Sequence, residues 1–159
     1  VDFATLRFDP PQLHEALAAL PVGAWSEPST FETTRAHEGY RQITTVAGGR
    51  IQPAGEPFRF VFDAFTPVYT SWLAWIDAGG YVVAHCDPGP CRERWHLPIH
   101  AAGWTTGVRG VEGVPFPVCQ WEPHWVDNDS DRVRIHLIID RDVIVQPDRT
   151  PFRFVNQGA

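Results

Sequence analysis

Between residues 85 and 97 the chain reads HCDPGPCRERWHL, placing two histidines, an aspartate, two cysteines and two arginines close together. Side chains on an extended segment alternate between faces, so His85 and Asp87 point one way and Cys86 the other. An imidazole and a carboxylate on one face supply two metal ligands. A metal that must also hold a bidentate cosubstrate and dioxygen needs three protein ligands on one face of an octahedron, and two histidines with one carboxylate are the usual set for non-haem iron(II). The third ligand has to come from a strand distant in sequence. His124, in WEPHWVDNDS, is the leading candidate because it opens a stretch running into the strongest strand pattern of the chain; His96, His100 and His136 compete with it.

Two further spacings bear on the same chemistry. Arg94 and His96 share one face of an extended segment, and Arg132, Arg134 and His136 share one face of another. Burying an arginine without a partner costs several kcal/mol, so such a row either faces solvent or binds an anion. Beside an iron site, a dicarboxylate gripped bidentately by a guanidinium is the natural partner.

Other chemistries use some of the same residues. A lone H-x-D arises often by chance, and most histidines in β proteins are structural. A non-oxidative cupin-type metal enzyme would use the histidines without needing Arg134, and a small anion-binding β domain would use the arginines without a metal. Cys86 and Cys91 flank DPGP and invite a disulfide or a zinc loop, but alternation turns Cys86 away from His85 and the third cysteine, Cys119, leaves no second pair. An odd, sparse set of cysteines fits a reducing compartment.

These residues need a scaffold, and 159 residues suit one domain spanning the whole chain, 1–159. Residues 9–20, DPPQLHEALAAL, predict one helix, with Asp9 as cap, Pro10 in the first turn, and Leu13, Ala16, Leu17 and Leu20 on a face that packs against a sheet. From about Arg41 onward short apolar or alternating runs separated by Gly, Pro and Asp predict eight strands: RQITTVA, FRFVFD, SWLAWID, YVVAH, RWHLPIHA, TTGVRGV, FPVCQW and VRIHLIID. The expected architecture is a β-sandwich or barrel behind one helix. The pentapeptide PFRFV occurs at residues 57–61 and 151–155 in unlike surroundings, which fits two similar strands better than a duplication.

Composition excludes several function classes. All 13 basic side chains are arginines, so Schiff-base chemistry on a lysine is ruled out. A net charge of −6 with scattered arginines argues against nucleic acid. No apolar run is long enough to span a membrane and no signal pattern opens the chain, so a cytoplasmic protein acting on small molecules or peptides is expected.

The order GGYVVAHCDPGPCRERWHLPI followed by HWVDNDSDRVRIHLIID resembles the aspartyl/asparaginyl β-hydroxylase-like iron(II)/2-oxoglutarate-dependent dioxygenases, with bacterial proline hydroxylases as relatives. The shared pattern is H-x-D, then R-x-H nine residues after the first histidine, then H-x-V-x-N-x-S, then an arginine ten residues past the distal histidine. The resemblance covers roughly residues 73–140. It implies a double-stranded β-helix of the jelly-roll or cupin type, and hydroxylation of an unactivated C–H bond of an amino acid or an aspartyl/asparaginyl-type peptide residue. Fe(II), 2-oxoglutarate and O2 would be consumed or bound, with succinate and CO2 released.

By the same resemblance, His85, Asp87 and His124 are the metal ligands, and Arg134 anchors the distal carboxylate of 2-oxoglutarate. Arg94 and His96 contact the cosubstrate, while Asn128 and Ser130 shape the intervening turn. Some animal members have glycine where Asp87 stands. Ala74 falls where those members place a serine contacting the cosubstrate, with Thr70 or Ser71 as substitutes only if the strand alignment slips. Trp95 is expected in the core, Trp104 near substrate, and Arg109 in solvent in preference to pairing with a substrate carboxylate.

Overall fold

A computed structural model describes residues 2–21, 23–26, 37–87 and 89–143, with the backbone alone for Arg92 and Val143. The second PFRFV lies outside the described residues. One eight-stranded antiparallel sheet dominates, built from β1 (His37–Ala47), β2 (Arg50–Ile51), β3 (Val68–His85), β4 (Cys91–His100), β5 (Trp104–Thr105), β6 (Phe116–Val118), β7 (His124–Asp127) and β8 (Arg134–Val143). The strand order is β2-β1-β3-β8-β4-β6, while β7 pairs with both β3 and β5.

The fold turns on β3. Its first half pairs with β8, from Val68 opposite Arg141 to Ile76 opposite Arg134. Its second half pairs with β7, with Tyr81 opposite Asp127 and His85 opposite His124. The strand changes partner at Gly79 and Gly80, where Gly79 has φ +74° and a Cβ on Gly80 would lie 2.7 Å from the Glu38 carbonyl oxygen. Glycine there lets the sheet curl, as double-stranded β-helices require.

Asn128 fastens this corner. Its backbone N–H donates to the Gly80 carbonyl at 2.9 Å and its carbonyl accepts from Gly79 at 2.8 Å. Its side-chain amide donates to the carbonyls of Ile76, Asp77 and Arg132, and the Ser130 hydroxyl donates to Asn128 Oδ1 at 2.7 Å. Both residues therefore shape the turn between His124 and Arg134. Asn128 is fully buried, and stranding these carbonyls is expected to cost Asn128→Ala about 2–4 kcal/mol of stability. Urea denaturation of the two proteins measures it.

Alternation divides the sheet into a dry face and a polar face. Leu73, Trp95, Leu97, Ile99, Ile135, Leu137 and Ile139 join the apolar core. They meet α1 (Pro10–Ala18) through Leu13 and Ala16, and α2 (Arg59–Phe65) through Val61, Phe62 and Phe65. Phe3 stacks on Phe65 and meets Trp95 edge-on, which places Trp95 in the core. The other face of the same strands carries Arg94, His96, Arg134, His136 and Asp140, all buried.

Several expected elements differ. FRFVFD is not a strand: residues 53–58 form a 3-10 turn leading into α2. The buried Phe58, Val61, Phe62 and Phe65 follow helical spacing, which outweighs the strand preference of aromatic residues. SWLAWID and YVVAH form one strand, β3, because the glycine corner bends the chain without breaking it. In TTGVRGV only Thr105 belongs to a strand; Gly107 has φ +77° and the chain turns there. FPVCQW pairs only at Phe116–Val118, and His124 opens a separate strand, β7. Asp9 stands at the N-cap position just before α1 but makes no side-chain cap bond. Arg132 precedes β8 and is exposed, so the inward row begins at Arg134.

Candidate metal centre and anion pocket

The ends of β3 and β7 bring His85 and His124 into register, and Asp87 follows two residues beyond β3. The Asp87 backbone N–H donates to the Gln120 carbonyl at 2.7 Å, turning the carboxylate inward. Asp87 Oδ2 lies 3.2 Å from His124 Nε2 and 3.4 Å from His85 Nε2, and the two imidazole centroids are 4.3 Å apart. Ligands at adjacent corners of an octahedron with bonds near 2.1 Å are separated by about 3 Å. The three groups are thus close to the spacing a shared ion imposes.

Protonation strengthens the fit. His85 Nδ1 lies 2.7 Å from the Val83 carbonyl and His124 Nδ1 lies 2.9 Å from the Glu122 carbonyl. A carbonyl only accepts, so each Nδ1 carries a hydrogen and each Nε2 is the nitrogen turned toward Asp87, the atom from which the ring would hold a metal. Burial alone would raise the Asp87 carboxyl, but hydrogen bonds from His124 and His85 and the Arg94 charge outweigh it and hold it far below the usual carboxylate range. It is a committed anion. The residues present fit a divalent metal.

A second grouping, His14, His100 and Glu112, makes a useful contrast. There His14 Nε2, 3.2 Å from Glu112, also donates to the Ile99 carbonyl at 2.9 Å, and the two rings stack at 4.9 Å with an 8° interplanar angle. The nitrogen facing the carboxylate is occupied by its own hydrogen bond.

A cavity of about 570 Å³ joins His85, Asp87 and His124 to Arg94, His96 and Arg134. Arg134 reaches it from the start of β8 with 1% exposure. Its Nη2 donates to Thr105 Oγ1 and, at 2.9 Å, to His136 Nδ1, while its Nε lacks a partner among the described residues. No carboxylate pairs with it among those residues. Burial pushes its pKa down to about 9, so at neutral pH it is a buried cation awaiting an anion. His96, buried between the two halves of the pocket, feels the charges of Arg134, Arg94, His124 and Asp87. Burial foremost, then the two arginines, hold it neutral, and its Nδ1 is unpartnered among the described residues.

Arg94 is placed differently from a free cosubstrate contact. Its Nε and Nη2 donate to the two Asp140 oxygens at 2.7 and 2.8 Å, and its Nη1 donates to Asp87 at 2.6 Å. The guanidinium also lies over Trp72, 4.9 Å from the ring centre. Sequence reasoning missed Asp140, although the signal was present: positions 134, 136, 138 and 140 share one strand face, so an aspartate ending VRIHLIID points inward with Arg134.

Of the remaining candidates, Ala74 and Thr70 line the cavity, whereas Ser71 faces away and donates to the Ile138 carbonyl at 2.7 Å. His136 sits at the far end beside Arg134, and His100 lies with His14 outside the cavity. Trp104 stacks under the Arg109 guanidinium at 4.7 Å, and neither lines the cavity. The three thiols are free, and burial together with Asp140 pushes Cys91 up to about 11, leaving it a poor nucleophile. Among the described residues no helix is long and apolar enough to cross a membrane.

No protein-family model matches the chain, and no curated protein does. Solved structures do. The viral collagen prolyl hydroxylase of Paramecium bursaria Chlorella virus-1, in its 2OG complex, superposes with a TM-score of 0.56 at 12% identity, over 84% of this chain and 90% of that one. An oxidoreductase of the 2OG-Fe(II) oxygenase family from Burkholderia pseudomallei gives 0.55 at 13% identity, over 82% and 76%. A prolyl-4-hydroxylase from Pseudomonas putida gives 0.50 at 16% identity, over 89% and 96%. The chain shares with these structures the double-stranded β-helix fold, and on it carries a His-Asp-His cluster facing a buried arginine.

Proposed function

We propose that the protein is an iron(II)/2-oxoglutarate-dependent oxygenase that hydroxylates an unactivated C–H bond of an amino acid or of an aspartyl/asparaginyl-type peptide residue. One observation carries it: a His-Asp-His cluster and a buried Arg134 with no carboxylate partner among the described residues line the same cavity. A non-oxidative cupin enzyme explains the cluster but leaves the cost of burying Arg134 without a return. A protein binding only anions leaves the convergence of His85, Asp87 and His124 unexplained.

His85, Asp87 and His124 would hold iron(II) on one face, which when bound with 2-oxoglutarate supplies the dioxygen-activating chemistry that inserts oxygen and releases succinate and CO2. The chain's own residues do the positioning. Arg134, fixed by Thr105 and His136 through Nη2, would direct its charge and remaining donors at the distal carboxylate. His96, neutral and with Nδ1 unused, offers a hydrogen bond along the cosubstrate without adding charge. Trp72, Ile76 and Val126 wall the cavity and exclude water around the reacting C–H bond.

A screen of free amino acids and short peptides for stimulated succinate release tests class and substrate together. The expected result is release that needs iron(II), 2-oxoglutarate and one substrate class. Iron(II) binding without succinate release across the whole screen, or in the uncoupled reaction, counts against an oxygenase.

A further inference from the structure

The start of β1, the second half of β3, β7 and β5 lie side by side, and only one face of this small group of strands belongs to the cavity. Across it His37 pairs with Val82, Val82 with Val126, and Val126 with Thr105. His37, Val82 and Val126 line the cavity, and Thr105 meets Arg134 from the same side. The next cross-strand row, Glu38, Tyr81, Asp127 and Trp104, therefore points the other way. Trp125 joins it, because its neighbours His124 and Val126 both face the cavity, and so does Val83 beside Val82.

This outer face is open and aromatic. Tyr81, Val83 and Trp125 are 38%, 40% and 40% exposed, far more than the apolar side chains of the core. Apolar side chains gathered in one exposed patch with a polar rim mark a contact surface, and Tyr and Trp are the residues such surfaces favour. The rim here is acidic: Glu38 and Asp127 are exposed and make no hydrogen bond or ion pair among the described residues. The face already accepts one guanidinium, since Arg109 lies over the Trp104 ring at 4.7 Å from its centre.

Charge selects the occupant. A second copy of the chain would bring the same patch to both sides of a twofold interface and set Glu38 and Asp127 against themselves. A phosphate-bearing surface would be repelled by the same carboxylates, in a chain of net charge −6. A guanidinium or ammonium group gains twice, from the carboxylates and from the faces of the Tyr81 and Trp125 rings. We propose that this outer face is a docking surface for a cationic segment of a polypeptide partner. It lies on the side of the strands turned away from His85, Asp87 and His124, and it does not depend on what the cavity binds.

The probe is octa-arginine, titrated calorimetrically into the purified full chain at about 0.15 M salt, where exposed charges more than about 8 Å apart are largely screened. Wild type is expected to bind it. Trp125→Ala removes a ring and is expected to weaken binding about fivefold or more. E38Q/D127N, which exchanges two carboxylates for amides of the same shape, is expected to weaken it by a similar factor. E15Q/D63N removes two exposed carboxylates from α1 and α2 instead, and is expected to bind within about twofold of wild type.

The proposal is overturned if wild type does not bind octa-arginine, or if Trp125→Ala binds it as wild type does. Equal losses in E38Q/D127N and E15Q/D63N overturn it too, because they reduce the attraction to diffuse charge. A wild-type dimer in sedimentation that Trp125→Ala dissociates, or wild-type binding to phosphatidylserine vesicles that Trp125→Ala loses, would give the face to another occupant. Should Trp125→Ala not fold, the comparison of E38Q/D127N with E15Q/D63N still decides.

Discussion

His124→Ala is expected to abolish stoichiometric iron(II) binding and to lower substrate-stimulated succinate release by more than about 100-fold. Loss of an outer-shell partner of a metal ligand already costs about 10- to 100-fold, and His124 is placed as a ligand itself, with Nε2 3.2 Å from Asp87 and its ring fixed by the Glu122 carbonyl. The fold is expected to survive, because β7 is held by backbone pairing with β3 and β5 and not by that side chain. Metal analysis after purification, with far-ultraviolet circular dichroism as the folding control, measures it. Equal iron content in wild type and variant would remove His124 from the ligand set. His136→Ala serves as the contrast, since that ring packs against His96 and Arg134 and should leave iron content unchanged.

Arg134→Met carries the second large effect, and it moves two quantities in opposite directions. Two charge-assisted hydrogen bonds to a carboxylate contribute about 1.5–3 kcal/mol each. Their loss corresponds to 2-oxoglutarate binding weakened by about 100-fold or more. The apoprotein, however, should gain about 1–3 kcal/mol of stability, because a buried cation with no carboxylate partner among the described residues is replaced by an apolar side chain of similar reach. A purely structural arginine would give the opposite stability result.

The pH dependence follows from the sign of the shift. The folded-state pKa of Arg134 is depressed to about 9 from 12.5. The unfolded chain therefore binds more protons than the native one between those values, and stability rises with pH across that window. Below about pH 9 the burden is fully present. The stability gap between Arg134→Met and wild type is thus expected to be constant from pH 6 to 8 and to narrow as pH rises through about 9. Urea denaturation of both proteins across that range measures it; a gap that widens would mean Arg134 has a hidden anionic partner.

Much of the site was legible because it depends on alternation, the simplest rule a strand obeys. H-x-D and R-x-H each put two side chains on one face, and the structure brings His85, Asp87, Arg94 and His96 into one cavity. His124 was reached through its place in a motif, and its exact register against His85 depends on β3 changing partners at Gly79 and Gly80. The two glycines mark a bend in the sequence, but which strand each half of β3 pairs with is set only by the assembled sheet. The helix at residues 10–18 was readable from its apolar period and prolines. α2 was not, because FRFVF satisfies both a strand preference and a helical spacing, and contact with the core decides between them. Asp140 escaped notice for a related reason: it ends an apolar run, and its importance appears only once β4 lies beside β8 and sets it opposite Arg94.

The most direct measurement is an anaerobic titration of the iron(II)-loaded protein with 2-oxoglutarate, followed by visible absorbance. Chelation of iron(II) by the keto acid at a site that leaves three positions open is expected to produce a weak charge-transfer band that saturates at one equivalent. The band is expected to vanish in His124→Ala and to require far more 2-oxoglutarate in Arg134→Met. Tight iron(II) binding with no such band at any 2-oxoglutarate concentration would contradict the account.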